Sequence, residues 1–148
     1  MYTKLLVATD GSVASEKAVE HGVRLAQETD APVVLLTATE PWSALDVARA
    51  ADAGVANPVE EYEALAVKSA QLALEPAERL AKGAGVTYEI VHAPDSLPAD
   101  AIVAAARKHG CDLIVMGTHG RRGLDRILLG SQAAKVLTLA DVPVLVVR

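Results

Sequence analysis

The sequence predicts an α/β protein with an open, doubly wound, five-stranded parallel sheet and helices on both of its faces. Three observations carry this. Five short apolar runs, at 4–9, 32–38, 86–92, 112–116 and 142–147, recur between longer segments of helical periodicity. Four of the five are nearly continuous in Val, Leu and Ile rather than alternating, as in strands buried on both faces. The order β-α-β-α-β-α-β-α-β that results winds helices onto both sides of a parallel sheet.

Each element has its own local signals. After the run 4–9, Ser12 or Ser15 can cap a helix that begins near Ala14 and sets Val19, Gly22, Val23 and Ala26 on one face. That helix ends before Ala31-Pro32. Beyond the run 32–38, the stretch 40–59 is rich in Ala and Asp and holds Pro41, Gly54 and Pro58, so it reads as a long loop or a poorly anchored helix. A helix over about 60–81 follows, with Tyr62, Leu65, Ala66, Ser69, Leu72 and Ala73 on one stripe, Pro76 as a kink and Gly83 or Gly85 as its stop. In the run 86–92, Thr87 and Glu89 alternate with Tyr88 and Ile90, which places this strand at an edge of the sheet. The next helix opens at Pro98, a residue suited to a first turn, and closes at Gly110; the last follows Gly130. The run 142–147 carries Pro143, which an edge strand tolerates. With no internal repeat, residues 1–148 read as one domain, long enough to hide roughly 70% of the surface its unfolded chain would expose.

Composition excludes several classes of function. A formal net charge of −5 argues against general affinity for nucleic-acid backbones, which needs clustered cations. Aromatic residues amount to 3%, too few for platforms that stack successive single-stranded bases. Cys111 is the only cysteine, so no internal disulfide or cysteine-based zinc site can form, and a reducing compartment suits the chain. No apolar run approaches the roughly 20 residues that span a bilayer, and the N-terminus lacks the features of a signal peptide. The expectation is a cytoplasmic protein that binds neither nucleic acid nor membrane.

In a doubly wound sheet, ligands bind beyond the carboxyl ends of the strands, where the strand order reverses. The loop there, from Gly117 to Ser131, has four glycines in fifteen positions, and its three arginines and one aspartate give it +2 inside a protein of −5. Glycine permits positive φ and close approach of the backbone, so that N–H groups converge on phosphate oxygens. A helix starting at Gly130-Ser131 adds its free N–H groups and dipole. On this reading Gly120 and Gly130 serve phosphate approach, and bulk at either obstructs binding without disturbing the core. The spacing is neither that of the P-loop, since Gly-Lys-Ser/Thr is absent, nor the dinucleotide fingerprint, since the first strand ends in Thr9-Asp10-Gly11-Ser12.

Gly117, Gly120, Gly130 and Ser131 fit Gly-x2-Gly-x9-Gly-Ser/Thr, and with this motif the chain resembles the ATP-binding members of the universal stress protein family. The likeness extends to 5–12, which looks like the family's first strand and Asp-Gly turn, to 112–120 and to 142–147. It implies a Rossmann-like sheet of strand order 3-2-1-4-5 and ATP bound with Mg²⁺ as a ligand rather than a catalytic cofactor. It gives Asp10 the ribose hydroxyls or a place near the metal-bound phosphates, Ala8 and Ala38 the adenine, and Met116 and Gly117 the ribose. Gly120, Gly130, Ser131 and Gln132 would cradle the phosphates. The chain departs from the pattern at Thr37, where many relatives have histidine, and over 93–97, where their turn is shorter and holds glycine.

Plainer readings stand beside these. Asp10 can be a turn and cap residue, Trp42 can pack its loop or shield an adenine, and Arg121, Arg122 and Arg126 can be solvated charges. His21, His92 and His109 have no ligand-like spacing, His119 lies inside the phosphate loop, and Cys111 is a small packing residue. The leading expectation is a nucleotide-responsive signalling or stress-response protein, dimeric through the exposed apolar edge 142–147. The alternatives are a slow ATPase, or a protein that phosphorylates itself on Ser131, Ser12 or Thr118, and a nucleotide-free dimeric scaffold. The loop has no lysine and Asp10 is the only candidate base, so fast phosphoryl transfer is not expected.

Overall fold

The computed structural model describes residues 1–119 and 128–148. Its elements follow in the order β1 (Leu5–Ala8), α1 (Val13–Thr29), β2 (Val33–Ala38), α2 (Ala44–Asp52), α3 (Pro58–Gly83), β3 (Tyr88–Ala93), α4 (Pro98–His109), β4 (Leu113–Gly117), α5 (Ser131–Leu139) and β5 (Val144–Val147). The five strands form one parallel sheet of order β3-β2-β1-β4-β5. This is the predicted architecture, with β3 and β5 at its edges.

The continuous apolar runs are explained by two cores, one on each face. Successive side chains of a strand point to opposite faces. Leu5, Val7, Val33, Leu35, Leu113 and Val115 pack toward α1 and α3 with Val19, Val23, Leu74 and Ala77. Their neighbours Leu6, Val34, Leu36, Ile114 and Met116 pack toward α4 and α5 with Ile102, Val103 and Val136. Strand order reverses beside β1, whose neighbours are β2 and β4, and the chain leaves both strands at the carboxyl edge of the sheet.

Ser12 is the cap of α1, its hydroxyl accepting the Ser15 N–H at 3.3 Å. One stretch decides between two expectations and another differs from expectation. Within 40–59 the chain forms α2, closed by a reciprocal capping box between Ser43 and Asp46, yet none of its residues is buried. The poorly anchored helix is therefore the reading that holds. In α3 the core takes Ala70, Ala73, Leu74, Ala77 and Ala81, while Leu65 and Leu72 of the expected stripe are 54% and 63% exposed. The reason is length. The 26 residues of α3 span about 39 Å, whereas the six-residue β2 spans about 20 Å. Only the half of α3 from Ala70 onward packs on the sheet, and the first half overhangs its carboxyl edge. The helix continues through Pro76; the carbonyl this leaves without an N–H belongs to Leu72, on the exposed side.

Candidate functional site

A cleft of about 800 Å³ opens at the carboxyl edge of the sheet. Its floor is the ends of β1, β2 and β4, and its sides are the overhanging half of α3, the start of α4 and the start of α5. Ala8, Asp10, Ala38, Met116, Gly117, Gly130, Ser131 and Gln132 all line it. Gly120, Arg121, Arg122 and Arg126 lie outside the described residues.

At the end of β1, Thr9 donates its N–H to the Leu36 carbonyl at 2.9 Å, and its buried hydroxyl lies 3.0 Å from that of Ser15. Asp10 follows, and its Oδ1 accepts the Ser12 N–H at 2.9 Å. The carboxylate thus has the turn role and a place at the cleft together, held to the start of α1. At the end of β2 the sheet pairing continues past Ala38: Thr39 donates its N–H to the Ala93 carbonyl, and Ser96 donates to that of Thr39, each at 3.0 Å. The Thr39 hydroxyl is 2.7 Å from His92 Nε2. Partial burial pushes the His92 pKa below its ordinary value, so the ring is neutral at pH 7.

The opposite end is built on β4 and α5. The Thr118 N–H donates to the Val147 carbonyl at 2.9 Å, and the Thr118 carbonyl accepts the Gly130 N–H at 2.8 Å. This closes the loop at its base and fixes where α5 begins. Neither Gly117 nor Gly130 has positive φ; the demand at both is close approach. A Cβ on Gly130 would stand 2.5 Å from the Thr118 oxygen, and one on Gly117 3.1 Å from the Ala14 oxygen. Gly130 therefore spends its N–H inside the protein. The first intrahelical bond of α5 runs from Ala134 to the Gly130 carbonyl, so the first-turn N–H groups without an intrahelical acceptor belong to Ser131, Gln132 and Ala133, which line the cleft.

Gln132 has a further partner that sequence reasoning missed. Its Oε1 accepts the Ala99 N–H at 3.0 Å, capping α4, whose own N-cap, Leu97, has no side-chain acceptor. A helix opening at Leu97-Pro98 without a capping residue was the available signal. Also missed was the cleft face of α3. Tyr62, Leu65, Ala66 and Ser69 line the cleft, and Tyr62 stacks on Trp42 with ring centroids 6.0 Å apart and planes 22° from parallel. Among the described residues the cleft lining contains no lysine or arginine.

This fold recurs in known proteins. The chain matches the Universal stress protein family over residues 1–148. It belongs to the universal stress protein family. The relative MJ0531 of Methanocaldococcus jannaschii, a universal stress protein, is 37% identical over 148 residues, covering all of this chain and 83% of its own. Among solved structures, MJ0577 of the same organism superposes with a TM-score of 0.80 at 28% identity, covering 99% of this chain and 96% of its own. A universal stress protein solved in complex with cAMP superposes with a TM-score of 0.70 at 28% identity, covering 99% and 97%. The shared sheet order and covering helices make this universal stress protein an α/β protein of the predicted class. No helix among the described residues is long and apolar enough to cross a membrane.

Proposed function

We propose that this universal stress protein binds ATP with Mg²⁺ in the cleft and acts in the cytoplasm as a nucleotide-responsive dimer. The observation that carries this reading is the hydrogen bond from Gly130 to Thr118. It docks α5 against the end of β4 so that Ser131, Gln132 and Ala133, whose N–H groups have no intrahelical acceptor, line a cleft large enough for a nucleotide. Asp10 stands at the end of β1, between this anion-seeking end and Ala38 at the end of β2, where the ribose would fall. The related structure that holds cAMP supports an adenine nucleotide as the class of ligand.

Among the described residues no group of three or more His, Cys, Asp or Glu could hold a metal ion. Mg²⁺ keeps several waters and is held through one or two carboxylates together with substrate phosphates. Asp10 therefore suits an ion that arrives with ATP, and the ion would supply charge neutralisation on the phosphates. The dimer is proposed through the free edge of β5, the last strand in the sheet.

Thermal unfolding with and without Mg-ATP tests the reading. A ligand at about 100 times its Kd adds roughly 2.7 kcal/mol, a rise of about 5 to 10 °C for a domain of this size. Absence of a shift at millimolar ATP would overturn it. With no lysine in the cleft lining among the described residues, turnover is expected below about 1 per second, under the ordinary enzyme range.

A further inference from the structure

We infer that Trp42 is the wall on which the base of the ligand stacks, and that this wall selects purine over pyrimidine nucleotides; the inference rests on the nucleotide reading above. The cleft has a direction. Its phosphate-seeking end lies over β4 and the start of α5, and β2 lies two strands away, about 10 Å at the usual strand spacing. A nucleotide anchored by its phosphates at α5 reaches the end of β2 with its base. That end is lined by Ala38 on the floor, Ala66 on α3 and the rings of Trp42 and Tyr62, with Thr39 and Glu40 beside them. The two alanines leave room for a flat bicyclic ring, and the two aromatics offer it a face.

Trp42 is not filling a core. It is 36% exposed, and the helix that follows it, α2, has no buried residue to hold the segment down. Its partner is Tyr62, across the gap between the β2–α2 connection and α3, in the offset-stacked geometry that aromatic pairs prefer. The pair is a platform fixed from two elements, in a chain with only 3% aromatic residues. Of the polar side chains at this end, the Thr39 hydroxyl is engaged by His92, while Glu40 also lines the cleft. The aromatic platform itself reads ring face, and a purine presents more face than a pyrimidine.

Trp42 is the only tryptophan, so its fluorescence reports on this wall alone. Titration calorimetry of Mg-ATP, Mg-UTP and magnesium tripolyphosphate against the native protein, Trp42→Ala and Trp42→Phe tests the assignment. The native protein should hold ATP several-fold tighter than UTP. Trp42→Ala should lose about tenfold in ATP affinity, the usual scale for one stacked base, with tripolyphosphate affinity unchanged, while Trp42→Phe keeps most of the ATP affinity. Native fluorescence should change on saturation with ATP and not with tripolyphosphate. The inference is overturned if Trp42→Ala binds ATP as the native protein does, or if calorimetric saturation with ATP leaves the fluorescence unmoved. Should Trp42→Ala not fold, the Phe variant and the native fluorescence decide. Failure of both ATP and tripolyphosphate to bind the native protein removes the nucleotide reading and the wall together; ATP binding that is indifferent to Trp42 removes only the wall.

Discussion

Gly130 donates its N–H to the Thr118 carbonyl at 2.8 Å, and a Cβ on Gly130 would stand 2.5 Å from that same oxygen. The contact is backbone on backbone, so no side chain can swing away to relieve it. Gly130→Ala must separate the end of β4 from the start of α5, an overpacking cost of about 1–3 kcal/mol. Melting should drop by about 2–4 °C per kcal/mol, and the rise produced by Mg-ATP should shrink because the first turn of α5 has moved. The sequence reading treats this glycine as room for phosphate alone and expects bulk there to leave the fold untouched; the structure corrects that expectation. An Ala variant with native melting temperature would show that the loop base is not held as described.

Ser43 and Asp46 cap α2 reciprocally, and the Ser43 hydroxyl and N–H hold the Asp46 carboxyl below its ordinary range. Since α2 buries none of its residues, the cap is its main internal support. Ser43→Ala should cost the helix about 1 kcal/mol, which accelerates hydrogen exchange of α2 amides about fivefold. Global melting should move by no more than about 1 °C, because α2 contributes little to the cooperative core. A fall of several degrees instead would make α2 part of that core.

The strands were legible because burial on both faces forces continuous apolar runs, and the edge position of β3 was legible in Thr87 and Glu89. The glycine spacing marked the carboxyl-edge loop, and Asp10, Gly117 and Ser131 do meet at one cleft. What could not be read was which face of α3 the core would take. A stripe of Tyr62, Leu65, Ala66 and Ser69 has the same periodicity whether it faces a sheet or an open cleft, and only the overhang past β2 distinguishes them. The capping of α4 by Gln132 was equally hidden, since it joins residues 33 apart in sequence. At Gly130 the sequence shows that a glycine is present, not whether φ, a ligand or the Thr118 carbonyl requires it.

The Asp112 carboxylate accepts the N–H groups of Thr3 and Lys4 and the Thr3 hydroxyl, at 2.8 to 3.1 Å, tying the entry to β1 against the entry to β4. Partial burial alone would raise its pKa, but these donors together outweigh burial and hold it below the ordinary value of 3.8. A depressed folded pKa means that the unfolded chain takes up the proton first. The stabilisation is therefore fully present above the unfolded value, declines as pH drops below about 4, and is gone once pH has fallen through the folded pKa. Asp112→Asn should lower melting by about 2–4 °C near pH 7, corresponding to about 1 kcal/mol for charge-assisted bonds weakened by solvent. The gap between the two proteins should close in acid. A gap constant from pH 7 to pH 2 would show that the carboxylate's charge is not what matters.

The β5 edge gives the sharpest test of the proposed dimer. The Pro143 carbonyl accepts from Ile114 and the Val147 carbonyl accepts from Thr118, so residues 143, 145 and 147 turn their backbone groups to β4. Alternation then turns those of Val144 and Val146 to the free edge, and Leu145 remains 38% exposed. Because Pro143 faces β4 at the very start of the strand, its missing N–H takes nothing from the free edge. Val146→Pro removes one outward donor and adds a ring at the edge while leaving the bonds to β4 in place, so the monomer should keep its fold and lose affinity for a second copy. Leu145→Lys adds charge without altering the backbone and separates side-chain burial from strand pairing. If the dimer forms along this edge, sedimentation of the native protein at tens of micromolar should give a dimer and Val146→Pro a monomer with unchanged circular dichroism. A native monomer under those conditions, or a proline variant as dimeric as the native protein, would move the interface away from β5.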